Sequence, residues 1–222
     1  MRVVKVWDSP TRIVHWALVA LFALAWLTGE DEGVEYVVHT YAGYLILLLL
    51  LFRFAWGVAG NERARFSDFV RPWAEVRAYA IKFLKFSPPA NTGHNPLGGW
   101  MIVAMLLGLS AVVVSGLIAA GAQPGALLGP LVPGFLGRIF EEIHEGIANF
   151  MLLLVLLHIF GVVVDWLLSG DNLIGAMVTG TKRVADDSPA ADARGGSLVL
   201  AVPIALFCLA VGALMVWLTS FP

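Results

Sequence analysis

Five histidines carry most of the chemistry open to this sequence: His15, His39, His94, His144 and His158. Neutral imidazole is a ligand for iron, copper and zinc, and it also carries protons. His144 and His158 are fourteen residues apart. At helical geometry that spacing is roughly 1,400° of rotation and about 21 Å of rise, only about 40° short of four turns. On one helix the two rings would share a face. His39 and Arg53 repeat the fourteen-residue spacing, which places a guanidinium below a ring on a second helix. The single cysteine, Cys208, lies in an apolar run. It excludes a disulfide framework, a CxxC redox site, a cysteine-rich zinc site and the C-x-x-C-H attachment of a c-type haem.

The elements that position these histidines are membrane spans. The chain has 222 residues, 59 % hydrophobic and 14 % charged, with a mean hydropathy of +0.83, far from the usage of a soluble domain. A net charge of −2 with clustered basic residues carries no nucleic-acid signature. A bilayer core needs about 20 mostly apolar residues per helix, and five runs qualify: residues 13–28, 37–57, 97–120, 143–168 and 198–218. The first gains a turn from Ser9-Pro10, read as a cap followed by proline, and the third starts at the cap-proline pair Asn95-Pro96. A basic segment precedes the first run, but no small-x-small cleavage site follows Leu27, so a span is expected rather than a signal peptide. The 73–86 stretch has apolar residues at helical spacing among Arg77, Lys82 and Lys85, which predicts an interfacial amphipathic helix. Residues 185–197 read as a flexible linker. The domains follow as 1–185, holding four spans, and 186–222, holding the linker and a fifth.

Charge orients the bundle, because Lys and Arg near span ends stay cytoplasmic. Arg2, Lys5 and Arg12 precede the first span, Arg63, Arg65, Arg71, Arg77, Lys82 and Lys85 fill the second loop, and Lys182, Arg183 and Arg194 the fourth. The first loop has no Lys or Arg and the third only Arg138. The N-terminus is therefore expected inside and the C-terminus outside. The outer loops are acidic, with Glu30, Asp31, Glu32, Glu35, Glu141, Glu142 and Glu145.

With that orientation, depth pairs His15 with His158 near the cytoplasmic level and His39 with His144 near the outer level. An ionisable residue in a span is a functional-site candidate by default. Interhelical hydrogen bonding would explain any one histidine alone, but two depth-matched pairs sharing one helix is the arrangement that two bis-histidine, non-covalent haems b require. Gly43 and Gly161 lie four and three residues beyond His39 and His158, where a missing side chain lets a flat macrocycle approach. Arg53 is placed to pair with a propionate of the inner haem. His94 is expected in a loop, touching a propionate or lining a quinone pocket. Most of the tryptophans, including Trp7, Trp16, Trp56, Trp100, Trp166 and Trp217, read as an interfacial belt.

These residues resemble the bacterial di-haem cytochrome b family that includes the b-type cytochrome subunit of nickel–iron hydrogenases and prokaryotic cytochrome b561. The resemblance spans roughly residues 3–185. It rests on Val6-Trp7-Asp8 with Arg12-Ile13-Val14-His15-Trp16, on His39 to Tyr44 with Arg53-Phe54-Ala55-Trp56-Gly57, on Gly93-His94-Asn95-Pro96-Leu97-Gly98, and on His144 with His158. It implies the ligands His15, His39, His144 and His158, and a subunit that passes electrons between a periplasmic redox partner and membrane quinone.

The expected fold is an all-α membrane protein, a four-helix haem-binding bundle with a fifth C-terminal span, in a bacterial cytoplasmic membrane. The expected function is electron transfer through two haems between quinone and a cytochrome c or hydrogenase-type subunit, with a homo-oligomer compatible. Two alternatives compete: a free-standing quinone-linked oxidoreductase acting on a small species such as superoxide, and a proton or metal transporter. The transporter reading is weighed down by spans read as lacking an intramembrane carboxylate.

Overall fold

A computed structural model describes residues 1–29, 33–89, 91–121, 132–186, 190–196 and 198–219. Its order is β1 (Arg2–Lys5), α1 (Ser9–Leu27), α2 (Val34–Ala59), a 3-10 turn (Glu62–Ala64), α3 (Phe66–Phe69), α4 (Trp73–Leu84), α5 (Pro96–Ala120), α6 (Gly134–Ser169), α7 (Leu173–Thr179), β2 (Thr181–Val184) and α8 (Leu198–Thr219). Five of these, α1, α2, α5, α6 and α8, are long and apolar enough to cross a membrane. They answer the five runs expected from composition, and α4 answers the amphipathic stretch.

Local chemistry sets the starts. Asn95 accepts the Gly98 amide at 2.6 Å through its side chain, and its carbonyl takes the Gly99 amide at 2.9 Å; this is the expected cap, with Pro96 as the first helical residue. At α1 the cap is Asp8 rather than Ser9. Its carboxylate accepts the Thr11 amide at 2.9 Å, and Pro10 lies one position further in. Helix α6 begins about nine residues before the expected span and has 36 residues, about 54 Å of helix against a hydrocarbon core of about 30 Å. The turns bearing Arg138, Glu141 and Glu142 thus extend the apolar part without entering it.

The chain divides into two compact units. The first comprises Met1–His15, Arg53–Ala104 and Leu154–Val202. Its core is Val4, Val6, Trp56, Phe69 and Val76. Strands β1 and β2 pair antiparallel, Arg2 opposite Val184 and Lys5 opposite Thr181. Gly180, at φ +83°, closes α7 in the left-handed region, and its carbonyl receives the amides of Val6 and Trp7 at 2.9 and 3.1 Å. The described part of the 185–197 segment is tied down, which corrects the flexible-linker reading. Ala193 donates to the Lys5 carbonyl at 2.9 Å, Glu62 to that of Arg194 at 2.8 Å, and Asn61 to that of Gly195 at 3.2 Å.

The same unit corrects the reading that the spans lack a carboxylate. Asp165, in α6, is only 7 % exposed and accepts the Tyr79 hydroxyl at 2.8 Å. Burial, and then the bond to Asp165, pushes the Tyr79 phenol above its usual range. The pair fastens α4 to α6.

The second unit comprises Trp16–Phe52, Met105–Leu153 and Pro203–Pro222. Its buried residues include Ala42, Ile46, Leu50, Leu109, Val113 and Met151. The large apolar side chains of α8, such as Phe207 and Leu209, are exposed in the isolated chain, as expected for a face that lipid covers.

Candidate functional site

In the second unit His39 of α2 and His144 of α6 face one another, with ring centres 5.9 Å apart and planes at 84°. Nδ1 of His39 donates to the Ala25 carbonyl at 2.8 Å, and Nδ1 of His144 to the Val112 carbonyl at 2.8 Å. A carbonyl only accepts, so each Nδ1 bears a hydrogen, and in the neutral ring that tautomer leaves the lone pair on Nε2. That is the orientation in which an imidazole ligates a metal while its other nitrogen is held by the protein. The Ala25 carbonyl is available because it lies in the last turn of α1, where helix carbonyls have no intrahelical donor. Ser115 adds its hydroxyl at 3.3 Å from His144 Nδ1.

A glycine makes this approach possible. A Cβ on Gly116 would stand 2.8 Å from Cε1 of His144, too close for any other residue without a shift of the ring. At Gly43 the surroundings are open, with nothing within 4 Å of a built Cβ.

In the first unit lie His15, His158, Arg53 and His94. His15 lies on α1 and His158 on α6, and a Cβ built on Gly161 meets open space. Arg53 is buried, 7 % exposed. Its guanidinium carbon lies 5.4 and 5.7 Å from the ring centres of Phe66 and Phe69, a cation–π arrangement. Its Nη1 is buried with no hydrogen-bond partner among the described residues. It does not snorkel to the surface.

His94 is half-buried by surface, but its Nδ1 is fully buried. The ring packs 4.4 Å from the centre of Trp7 and 5.0 Å from that of Phe69. Burial, followed by the charges of Arg53, His158, His15 and Arg63, pushes its pKa down to about 3, so it is neutral. Sequence reasoning placed it correctly in the loop before α5.

Two tryptophans leave the expected belt. Trp56 is fully buried and donates to the Asp8 carboxylate at 3.0 Å, so one acid both caps α1 and anchors α2. Trp7 packs on His94. Trp16, Trp100, Trp166 and Trp217 are exposed, as a belt requires. Phe66, Phe69, Gly116 and Ser115 were not singled out from sequence; the Phe66/Phe69 spacing of three after Arg63 and Arg65 was the available signal. Of the acidic residues expected on the outer loops, Glu35, Glu141, Glu142 and Glu145 are exposed, while Glu30, Asp31 and Glu32 lie outside the described residues.

Among the described residues no three of His, Cys, Asp or Glu gather as a metal cluster. His39 and His144 offer a pair of imidazoles, a donor set that would suit a metal whose other positions a macrocycle fills. A metal held between two imidazole nitrogens at about 2 Å each puts the ring centres roughly 6 Å apart, and the His39/His144 separation agrees with that.

Comparison with known proteins points the same way. Residues 6–180 match the family model described as Prokaryotic cytochrome b561. Among curated relatives, the "Probable Ni/Fe-hydrogenase B-type cytochrome subunit" of Azotobacter chroococcum mcd 1 is 28 % identical, over 84 % of this chain and 91 % of that one. The like-named protein of Rhodobacter capsulatus is 24 % identical, over 83 % of each chain. The "Probable Ni/Fe-hydrogenase 1 B-type cytochrome subunit" of Escherichia coli K12 is 26 % identical, over 79 % of this chain and 88 % of that one. No solved structure matches. With five apolar helices and a family match over most of its length, the chain is a multi-pass membrane protein that belongs to the prokaryotic cytochrome b561 family, whose members are b-type, haem-carrying cytochromes of membrane electron transfer.

Proposed function

We propose that this protein binds two haems b, one between His39 and His144 and one between His15 and His158, and carries electrons across a bacterial cytoplasmic membrane. Haem b, when bound, supplies a reversible one-electron couple. The protein's own residues do the rest. Backbone carbonyls of Ala25 and Val112 fix the Nδ1–H tautomers of His39 and His144 and raise their basicity as ligands. Arg53 offers a buried, unpartnered donor that suits a propionate of the haem between His15 and His158. Gly43 and Gly161 leave room beside the rings. The observation that carries the reading is the His39/His144 pair, with ring centres 5.9 Å apart and both Nδ1 atoms already taken by carbonyls.

The partner we propose is a hydrogenase-type subunit at the outer face, because the relatives bear that name; a periplasmic cytochrome c fits the same acidic surface. The acceptor at the inner face is membrane quinone. The N-terminus lies inside and the C-terminus outside, as the distribution of Lys and Arg requires. A pyridine haemochrome assay on the purified protein tests the reading. Two haems b per chain, low-spin and six-coordinate, are expected, and one haem or a high-spin spectrum contradicts it.

A further inference from the structure

His94 is the histidine that the two pairs leave over. Its ring is held between Trp7 and Phe69, and both neighbours are themselves fixed. The Trp7 amide donates to the Gly180 carbonyl at 3.1 Å, and Phe69 is 1 % exposed in the core of the first unit. Next to His94, Asn95 caps α5. The plane of the ring is thus set by packing, and in the rotamer adopted its Nδ1 points inward and is buried.

That nitrogen is buried without a hydrogen-bond partner among the described residues. Leaving such a group unsatisfied costs about 1–3 kcal/mol, so an occupant that bonds to it is called for. Charge says which kind. The groups bearing on His94 are Arg53, His158, His15 and Arg63, none of them acidic. Arg53 Nη1 and Arg63 Nε are also buried without partners, although Arg63 Nη1 pairs with Asp68 at 3.2 Å. Two guanidinium donors and an imidazole in one unit match an anionic acceptor, and an anion selects the tautomer in which Nδ1 carries the hydrogen.

Resting on the haem assignment above, we propose that His94 is a positioning residue for the haem held by His15 and His158: its Nδ1–H donates to a propionate carboxylate, beside the cation of Arg53. A donor to that carboxylate offsets part of its negative charge and so favours the ferrous form.

The test uses the full-length protein in detergent, with haem content, spin state and a redox titration in which each component is identified by His15→Ala and His39→Ala. His94→Phe keeps an aromatic ring between Trp7 and Phe69 but has no donor. It is expected to retain two low-spin haems, while at fixed ambient potential the ferrous-to-ferric ratio of the His15/His158 component falls roughly tenfold, about 59 mV for a one-electron couple. His94→Asn, which keeps an N–H donor near the Nδ1 position, is expected to stay within a few-fold of the unmodified protein. Where His94→Phe does not accumulate, His94→Asn decides: a native ratio supports the proposal and a displaced ratio overturns it. An unchanged ratio in His94→Phe with both haems bound overturns the proposal alone, as does an equal shift of both components. Loss of the low-spin signal in both variants also overturns it, since His94 would then be an iron ligand. Unmodified protein without low-spin haem overturns the haem assignment and this proposal together.

Discussion

His39 and His144 stand with ring centres 5.9 Å apart, and each gives its Nδ1 hydrogen to a main-chain carbonyl of a further helix, Ala25 on α1 and Val112 on α5. Four helices therefore meet at two imidazoles. This histidine pair, the proposed ligands of one haem, is held by backbone, which a side-chain substitution nearby cannot easily remove but an intruding methyl group can displace.

Gly116→Ala is such an intrusion. The added Cβ would stand 2.8 Å from Cε1 of His144, and overpacking of this kind costs about 1–3 kcal/mol. The variant is expected to lose or weaken the haem of the His39/His144 pair and spare the other, read as a haem-to-protein ratio falling from two toward one.

Arg53→Leu removes a buried cation whose Nη1 has no partner among the described residues. The His15/His158 component is expected to fall in ferrous-to-ferric ratio by roughly tenfold, about 1.4 kcal/mol, or to lose occupancy, with the other component nearly unchanged. Arg53→Lys, which keeps the charge, is expected to lie between the two. Component-resolved redox titration checks all three.

Tyr79→Phe leaves the buried Asp165 carboxylate without the hydroxyl that donates to it at 2.8 Å. The expected loss is about 1–3 kcal/mol, seen as a lower unfolding temperature in detergent, while both haem spectra stay native. Because the pair joins α4 to α6, proteolysis of the α4 region should speed up as well.

Much of this was legible in the sequence, and the reasons are physical. Apolar runs show themselves by composition, and Asn95-Pro96 announces a helix start by its own side chain. The fourteen-residue interval between His144 and His158 fixes their shared face whatever the surroundings. What escaped depends on partners distant in sequence. β1 is a four-residue strand with charges at both ends, and only its pairing with β2 defines it. Residues 190–196 have a linker's composition, yet their backbone groups bond to Lys5, Asn61 and Glu62. Trp56 looks like a belt residue until Asp8 is seen to accept from its indole. Asp165 lies in an apolar run whose hydropathy hides one carboxylate, and only Tyr79 explains its burial.

At the proposed outer face, Glu35, Glu141, Glu142 and Glu145 are exposed. Like-signed loops steer an oppositely charged partner over about 8–10 Å at ordinary salt. Stopped-flow reduction by a partner with a basic docking patch is expected to slow as ionic strength rises, and to slow at low salt when Glu141 and Glu142 are replaced by lysine. Rates flat with salt and indifferent to that replacement would mean the acids only keep these loops hydrated.

The ligand assignment itself is tested most directly by redox titration of unmodified protein and of the His15→Ala, His158→Ala, His39→Ala and His144→Ala variants, followed at the haem absorption bands with haem content measured in parallel. Two components are expected in the unmodified protein, with His15→Ala and His158→Ala removing one and His39→Ala and His144→Ala the other. If His15→Ala and His39→Ala abolish the same component, the two pairs proposed here are wrong.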